Sequence, residues 1–237
     1  MQNIKFDSKM LLFYSNQDSD KTKSIWTRQV KGFELYELFW ILILFSIGGF
    51  LIESFWCFIK NGYIESRKGL LFGPFCPIYG VGAVVFLFLL NSFRANLLKL
   101  ALGSFFYGSL VEYIFSFLQE NLFGSVSWDY SNIPFNINGR VCLMYSIFWT
   151  LSGILFIRYL YPNVALLICL IPRPEGELIA SLLFIYICFD VFISVSAILR
   201  LVERSSFVQT NNIFYKHLDK EFNDIYLRKI FPNMKFI

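Results

Sequence analysis

Three acidic residues, Glu53, Glu112 and Asp190, stand inside long apolar stretches of this sequence. On insertion scales a carboxylate at membrane depth costs at least ~2.5–3.5 kcal/mol, so it persists only where a partner, a water-filled cavity or a function holds it. Acids so placed can bind a cation, a proton or an amine, or serve as general acid and base. Arg140, Asn138, Asp129 and Arg67 lie close to the same apolar stretches and complete the set of polar candidates for a substrate-binding site. The guanidinium fork of Arg140 suits bidentate pairing with Glu53, Glu112 or Asp129. The alternative reading of these residues is a salt-bridge cluster that only staples helices together.

Composition defines the setting of this chemistry. The 237 residues are 56% hydrophobic, 20% aromatic and 16% charged, with a mean hydropathy of +0.55, whereas a soluble domain carries about 25% charged residues. The expected class is an all-α integral membrane protein. The net charge of +4 comes from tails and short loops, which points to membrane topology and headgroup contact and not to nucleic acid. The five cysteines show no C-x-x-C spacing and the single histidine, His217, lies in the polar C-terminal part. Neither a metal site nor a bound cofactor is expected from such a set. Cys57, Cys76 and Cys142 fall at one level, where a Glu could in principle activate a thiol; inert buried thiols are the plainer account.

The hydropathy pattern predicts about five transmembrane helices. The first is Leu38–Ile59, the second about Leu70–Asn91, the third about Asn96–Gln119, the fourth Arg140–Tyr161 closed by Pro162, and the fifth Glu177–Leu199. The second opens with GPFCPIYG, whose two prolines and two glycines predict a broken entrance that protein or a cavity must cover. Residues 163–171 are apolar but too short to cross, and Pro172 and Pro174 stop them. Residues 1–37 read as a polar N-terminal tail, 38–200 as the transmembrane domain and 201–237 as a polar C-terminal tail. Trp26 and Phe33 are placed as interfacial anchors, and Phe214, Leu218, Phe222 and Ile225 as the stripe of one amphipathic surface helix.

Tracing the five spans brings the unusual residues to one half of the bilayer. With the N-terminus on side A, odd spans run to side B and even spans return. At ~1.5 Å per residue, Glu53 and Glu112 both lie about 10 Å below side B, and Asp190 nearer the middle. The GPFCPIYG entrance, the Asn138-Gly139-Arg140 entrance and the loops carrying Arg67, Lys68 and Trp128–Ser131 belong to side B as well. Tyr79, Trp128 and Tyr130 are then available to stack on a ligand or to anchor at the interface. Side A collects Lys5, Lys9, Lys21, Lys23, Arg28 and Lys31 ahead of the first span, and Arg94, Lys99, Arg158 and Arg173 in its loops. By the positive-inside rule side A is cytoplasmic and the site opens outward, although the C-terminal tail adds Arg200 and Arg204 on side B.

Five segments carry a resemblance to a known family: GGFLIESFWC (Gly48–Cys57), RKGLLFGPFCPIYGVGA (Arg67–Ala83), VEY (Val111–Tyr113), WDYS (Trp128–Ser131) and PFNINGRVCL (Pro134–Leu143). In this order they resemble the CmpB-type ABC-transporter membrane proteins of bacteria, a family of polytopic proteins. Members often read NRG where this chain has Arg67-Lys68-Gly69, so either basic residue can hold that role. The resemblance implies a permease-like subunit of the cell membrane that handles a small or amphiphilic substrate. No G-x-x-x-x-G-K-[ST] motif occurs, so an ATP-binding subunit would be a separate protein. An intramembrane enzyme acting on a lipid or lipid-linked headgroup, and a non-catalytic assembly subunit, are the other readings of the same residues.

Overall fold

Long apolar runs satisfy their own backbone as helices, the form that an apolar solvent permits. The computed structural model describes residues 25–236. The expected polar stretch with Asp18, Asp20, Lys21 and Lys23, and the charges of Lys5 and Lys9, lie outside the described residues. Helix α1 is Leu35–Asn61, α2 Pro77–Leu90 followed by a 3-10 turn Asn91–Phe93, and α3 Leu97–Phe123. Helix α4, Leu143–Leu155, passes through a π-helical turn, Phe156–Leu160, into α5, Tyr161–Cys169, and α6 is Arg173–Ser205. Two short helices, α7 Ile213–Glu221 and α8 Asp224–Ile230, end the helical part. By length and composition Leu35–Asn61, Leu97–Phe123, Leu143–Cys169 and Arg173–Ser205 can each cross a membrane, and Pro77–Phe93 is a shorter apolar helix. The chain is an all-α membrane protein.

Local chemistry sets the ends of these helices. Gly62 and Gly124 adopt left-handed backbone at φ 77° and 56°, and their N–H groups bond back to Phe58 and Glu120 to close α1 and α3. The Asn96 side chain accepts from the Lys99 N–H at 3.0 Å and opens α3. The expected break in the second span is present: Leu70–Cys76 is not helical, and α2 begins at Pro77, where a missing N–H costs nothing.

Neighbouring segments pack antiparallel. Gly80 of α2 lies against Leu42 and Ser46 of α1, so closely that a Cβ there would meet the Leu42 carbonyl oxygen at 2.3 Å. Ser109 of α3 donates to Ser146 of α4 at 2.6 Å, and Trp149 reaches into the gap left by Gly108. Three two-stranded antiparallel pairs sit at the ends: β1 (Gln29–Val30) with β2 (Phe33–Glu34), β4 (Asn136–Ile137) with β5 (Val141–Cys142), and β3 (Ser125–Val126) with β6 (Lys235–Phe236). The last pair ties the C-terminal segment to the loop that follows α3, at the end of the bundle called side B above.

Four expectations are corrected. The fourth span does not stop at Pro162, and residues 163–171 are not a separate short segment, since the helix runs to Cys169. Pro162 has no N–H for the Arg158 carbonyl four residues earlier. The preceding turn widens to π geometry, and Arg94 donates to that carbonyl at 3.4 Å. Helix α6 begins at Arg173 and not at Glu177, because Pro172 and Pro174 flank a helix start that tolerates them. The C-terminal stripe is not one helix: Phe222 ends α7, Asn223 caps α8, and Ile225 is exposed. Leu218 and Leu227 are instead the buried pair, packed with Leu71, Ile193, Ala197 and Leu201. Trp26 is buried and donates to the Ser181 hydroxyl at 2.9 Å while packing on Phe39, and Phe33 packs against the core, so neither stands as a free anchor.

The C-terminal helices are also clamped by charge. The buried Arg200 donates to Asp219 at 2.7 and 3.1 Å, Arg204 pairs with Asp219 as well, and Arg204 reaches Asp224 at 2.7 Å. Hydrogen bonding by Arg200, aided by Arg204, outweighs burial and holds the Asp219 carboxyl below its ordinary value of 3.8. A group with a depressed folded-state pKa stabilises fully above its unfolded value, and that contribution disappears as pH falls through the folded one.

Two predictions follow from this architecture. Single cysteines at Ser66 and Ser127 in a background lacking the native thiols should be labelled from one face of the membrane, and one at Ser92 from the other; labelling of Ser66 and Ser127 from opposite faces would contradict the trace. The C-terminal helices should resist protease at neutral pH and be cut progressively faster below about pH 4, near the ordinary Asp pKa. Asp219→Asn should expose them at neutral pH and flatten that pH profile.

Candidate functional site

The two acids nearest side B come together between α1, α2, α3 and α4. Glu53, half-buried on α1, accepts a hydrogen bond from the Tyr79 hydroxyl of α2 at 2.5 Å. Glu112, only 5% exposed on α3, accepts from the Tyr130 hydroxyl at 2.9 Å and from the Trp149 indole N–H of α4 at 3.2 Å. One stacked ring pair links the two acids, since Tyr79 donates to Glu53 and Trp149 to Glu112. Tyr79 stacks on Trp149 with centroids 5.6 Å apart, and Tyr130 stacks on Tyr145 at 4.6 Å. Every donor to these acids is neutral: two phenols and one indole. Among the described residues no Lys or Arg makes an ion pair with Glu53 or Glu112.

The surrounding helices are shaped for this arrangement. A Cβ at Gly49 would lie 2.3 Å from the Tyr79 ring, and one at Gly108 would lie 2.5 Å from Trp149 Cβ. Two backbone positions without side chains therefore let the two ring systems sit between the helices and face the acids. Tyr130 arrives from the loop after α3. Burial first, and then the charge of Glu112, pushes its phenol far above the ordinary value, so it remains a proton donor.

Asn138, Asp129 and Arg140 build the loop that delivers Tyr130. Asn138 and Gly139 both take positive φ, 53° and 67°, which a type I′ turn between β4 and β5 requires. An Asn-Gly pair favours such a turn, but hydropathy predicts a fourth span from Arg140; Arg140 instead belongs to the hairpin and α4 begins at Leu143. Asn138 donates to the Tyr113 hydroxyl at 3.0 Å. Asp129 accepts from the Ser131 hydroxyl at 2.6 Å and from its N–H at 2.9 Å, which holds the carboxyl below its ordinary value. Trp128 donates to the Arg140 carbonyl at 2.9 Å, and the Tyr130 N–H bonds to the Gly139 carbonyl at 2.7 Å.

The charge pairing expected for Arg140 is not the one observed. Arg140 Nη1 lies 2.5 Å from Glu120, with its guanidinium over the Tyr113 and Phe117 rings at 5.6 and 5.5 Å. Glu120 stands two helical turns beyond Glu112 on α3, at the level where the β4–β5 hairpin crosses. Arg67 is similarly engaged at the loop, 3.5 Å from Glu65 and 3.2 Å from the Cys57 sulfur. Cys76 and Cys142 are free thiols, and among the described residues no base is hydrogen-bonded to either.

Asp190 stands apart from the pair. Fully buried on α6, it accepts from the Phe72 and Gly73 N–H groups, each at 3.2 Å, and from Ser194 at 3.0 Å. Ser194 in turn accepts from the Leu71 N–H at 2.9 Å. The acid caps the irregular entrance to α2. A further buried acid, Glu37, accepts from Tyr161 at 2.9 Å; it precedes the apolar run and so gave no signal in the sequence.

The comparisons with known proteins add a family. The model of the family described as "Putative ABC-transporter type IV", ABC_trans_CmpB, matches residues 40–195, about two thirds of the chain. The chain belongs to this family. No curated protein and no solved structure matches it.

The Arg140 geometry makes one prediction. A double-mutant cycle on thermal stability of the purified protein should find coupling of about 0.5–1 kcal/mol between Arg140→Ala and Glu120→Gln, the range of a partly exposed pair. Arg140→Ala should be additive with Glu53→Gln and with Glu112→Gln. Coupling to either of those acids and none to Glu120 would reverse the assignment.

Proposed function

We propose that the chain is the permease-like membrane component of an ABC-type transporter in the cell membrane, working with a separate ATP-binding subunit. In this reading Glu53 and Glu112 hold the positively charged end of a small or amphiphilic substrate. The observation that carries it is the pair of neighbouring acids, one fully within the bundle, whose donors are all neutral. A buried carboxylate pair without a cation lacks the partner that such charges usually take, and a substrate amine or ammonium supplies it. The electron-rich faces of Tyr79, Trp149, Tyr130 and Tyr145 suit the same occupant through cation–π attraction. Asp129, Asn138 and Arg140 frame the loop that carries Tyr130 and so set access from side B. Family membership supports the transporter reading, and an ATP-binding partner supplies the energy that this chain has no nucleotide motif to capture.

The test is direct binding of radiolabelled dodecyltrimethylammonium to the purified protein, with dodecyl maltoside micelles as background and dodecyl sulfate as the anionic competitor. Saturable binding is expected, displaced by unlabelled ammonium amphiphile and not by dodecyl sulfate. Glu112→Gln and Tyr130→Phe should fold, and Glu112→Gln should weaken binding at least about tenfold, equivalent to ~1.4 kcal/mol. Unchanged binding in a Glu53→Gln/Glu112→Gln protein would overturn the reading. Release of headgroups from lipids by the purified protein alone would favour the intramembrane enzyme.

A further inference from the structure

A second charged site of opposite sign stands at the other end of the bundle. Arg94 lies between the turn Asn91–Phe93 and α3, Lys99 is in the first turn of α3, and Arg158 is in the π-helical turn between α4 and α5. The two arginines are locked together through backbone. Arg94 Nη2 donates to the Arg158 carbonyl at 3.4 Å, while Arg158 donates through Nε to the Arg94 carbonyl at 3.1 Å and through Nη2 to the Ala95 carbonyl at 3.4 Å. Lys99 lies over the Phe93 ring at 5.8 Å.

These contacts cross, each guanidinium lying against the other arginine's backbone, and they satisfy only part of the ten N–H donors. Among the described residues, no carboxylate lies within ion-pair distance of Arg94, Arg158 or Lys99. Arg67, Arg140, Arg173, Arg200 and Arg204 each face at least one acid, whereas Arg94 and Arg158, like Arg28 and Arg228, have no ion pair among the described residues. The first turn of α3 contains Lys99 and no acidic residue, so the positive end of a long helix dipole adds to the same field. Positive charge gathered at one helix junction without a facing acid favours an anion from outside the chain. The surface beside them is apolar and exposed, with Leu97, Leu98, Tyr159 and Leu155 on the adjoining turns. Phosphate oxygens meet such a fork by bidentate, charge-assisted hydrogen bonds, and acyl chains fit the apolar flank.

We propose that Arg94, Arg158 and Lys99 form a binding site for the phosphate of an anionic phospholipid headgroup, with its acyl chains lying against Leu97 and Leu98. The site is separate from the acids of the proposed substrate site and does not depend on what they bind. The π turn before Pro162 has a role here, because it sets Arg158 against the α2–α3 connection that holds Arg94.

The test is native mass spectrometry of the detergent-purified protein with added phosphatidylglycerol, phosphatidylcholine or inorganic phosphate. Phosphatidylglycerol should be retained preferentially, with inorganic phosphate unable to displace it at equal concentration. Arg94→Gln and Lys99→Gln should each weaken retention about fivefold, and Arg94→Gln/Arg158→Gln about twenty-five-fold, the loss expected for one and for two basic residues at an anionic surface. Lys229→Gln, an exposed change on α8, should leave retention unchanged. Lys99→Gln touches no hydrogen bond of the fold, so it keeps the test readable if an arginine variant fails to fold. Equal retention of both lipids, equal loss in the Lys229→Gln protein, or displacement by inorganic phosphate would overturn the assignment.

Discussion

The carboxylate of Asp190 settles a problem that the rest of the bundle creates. Leu70–Cys76 runs through the apolar part of the fold without helical hydrogen bonds, and unpaired N–H groups there cost several kcal/mol each. Asp190 accepts from two of them and Ser194 from a third. A charge-assisted bond to a backbone N–H is stronger than a neutral one, so one acid on α6 fixes where α2 begins. The position of α2 then determines where Tyr79 stands, and through Tyr79 the setting of Glu53. The same entrance carries Leu71 into the cluster with Leu218 and Leu227, so the C-terminal helices depend on it too.

Charge is distributed along the molecule by a consistent logic. At the ends, arginines meet acids or carbonyls, as in the partly exposed Arg173 with Glu34 and Glu177 or the buried Arg200 with Asp219. Within the bundle, Glu53 and Glu112 meet only phenols and an indole. Neutral donors orient a carboxylate without cancelling its charge, which preserves its attraction for an incoming cation. An arginine in the same place would have made a stapled pair. By engaging Glu120 and the rings of Tyr113 and Phe117, Arg140 stays at the rim and braces the hairpin there.

Small residues carry much of the packing because a bilayer provides no hydrophobic drive between helices. Trp149 shows the consequence: its ring fits where Gly82 and Gly108 leave room, packs edge-on to Phe86 and donates to Glu112. One side chain thus joins the helix packing to the acid pair. Family membership is what supports the proposed transport role, whereas the chemistry of the occupant is inferred from the acids and rings themselves.

The sequence by itself determined the membrane class, the main apolar spans, the break at GPFCPIYG and the unusual standing of Glu53, Glu112 and Asp190. Hydropathy and proline geometry act locally, so they are legible without a fold. It also carried the family, through motifs that follow one another from Gly48 to Leu143. Partner choice was decided only by tertiary structure. Which acid meets Arg140 depends on where a hairpin crosses α3, and spacing along the chain does not contain that. The continuation of the helix through Pro162 goes with a bond from Arg94 to the Arg158 carbonyl, 64 residues apart, and the burial of Leu227 in place of Ile225 goes with a break at Asn223. Asp190 illustrates the division most simply. Its cost at membrane depth was evident from one residue type in one apolar run, but that its bonds to the Phe72 and Gly73 N–H groups hold a loop beside α6 follows only from the packing of segments more than a hundred residues apart.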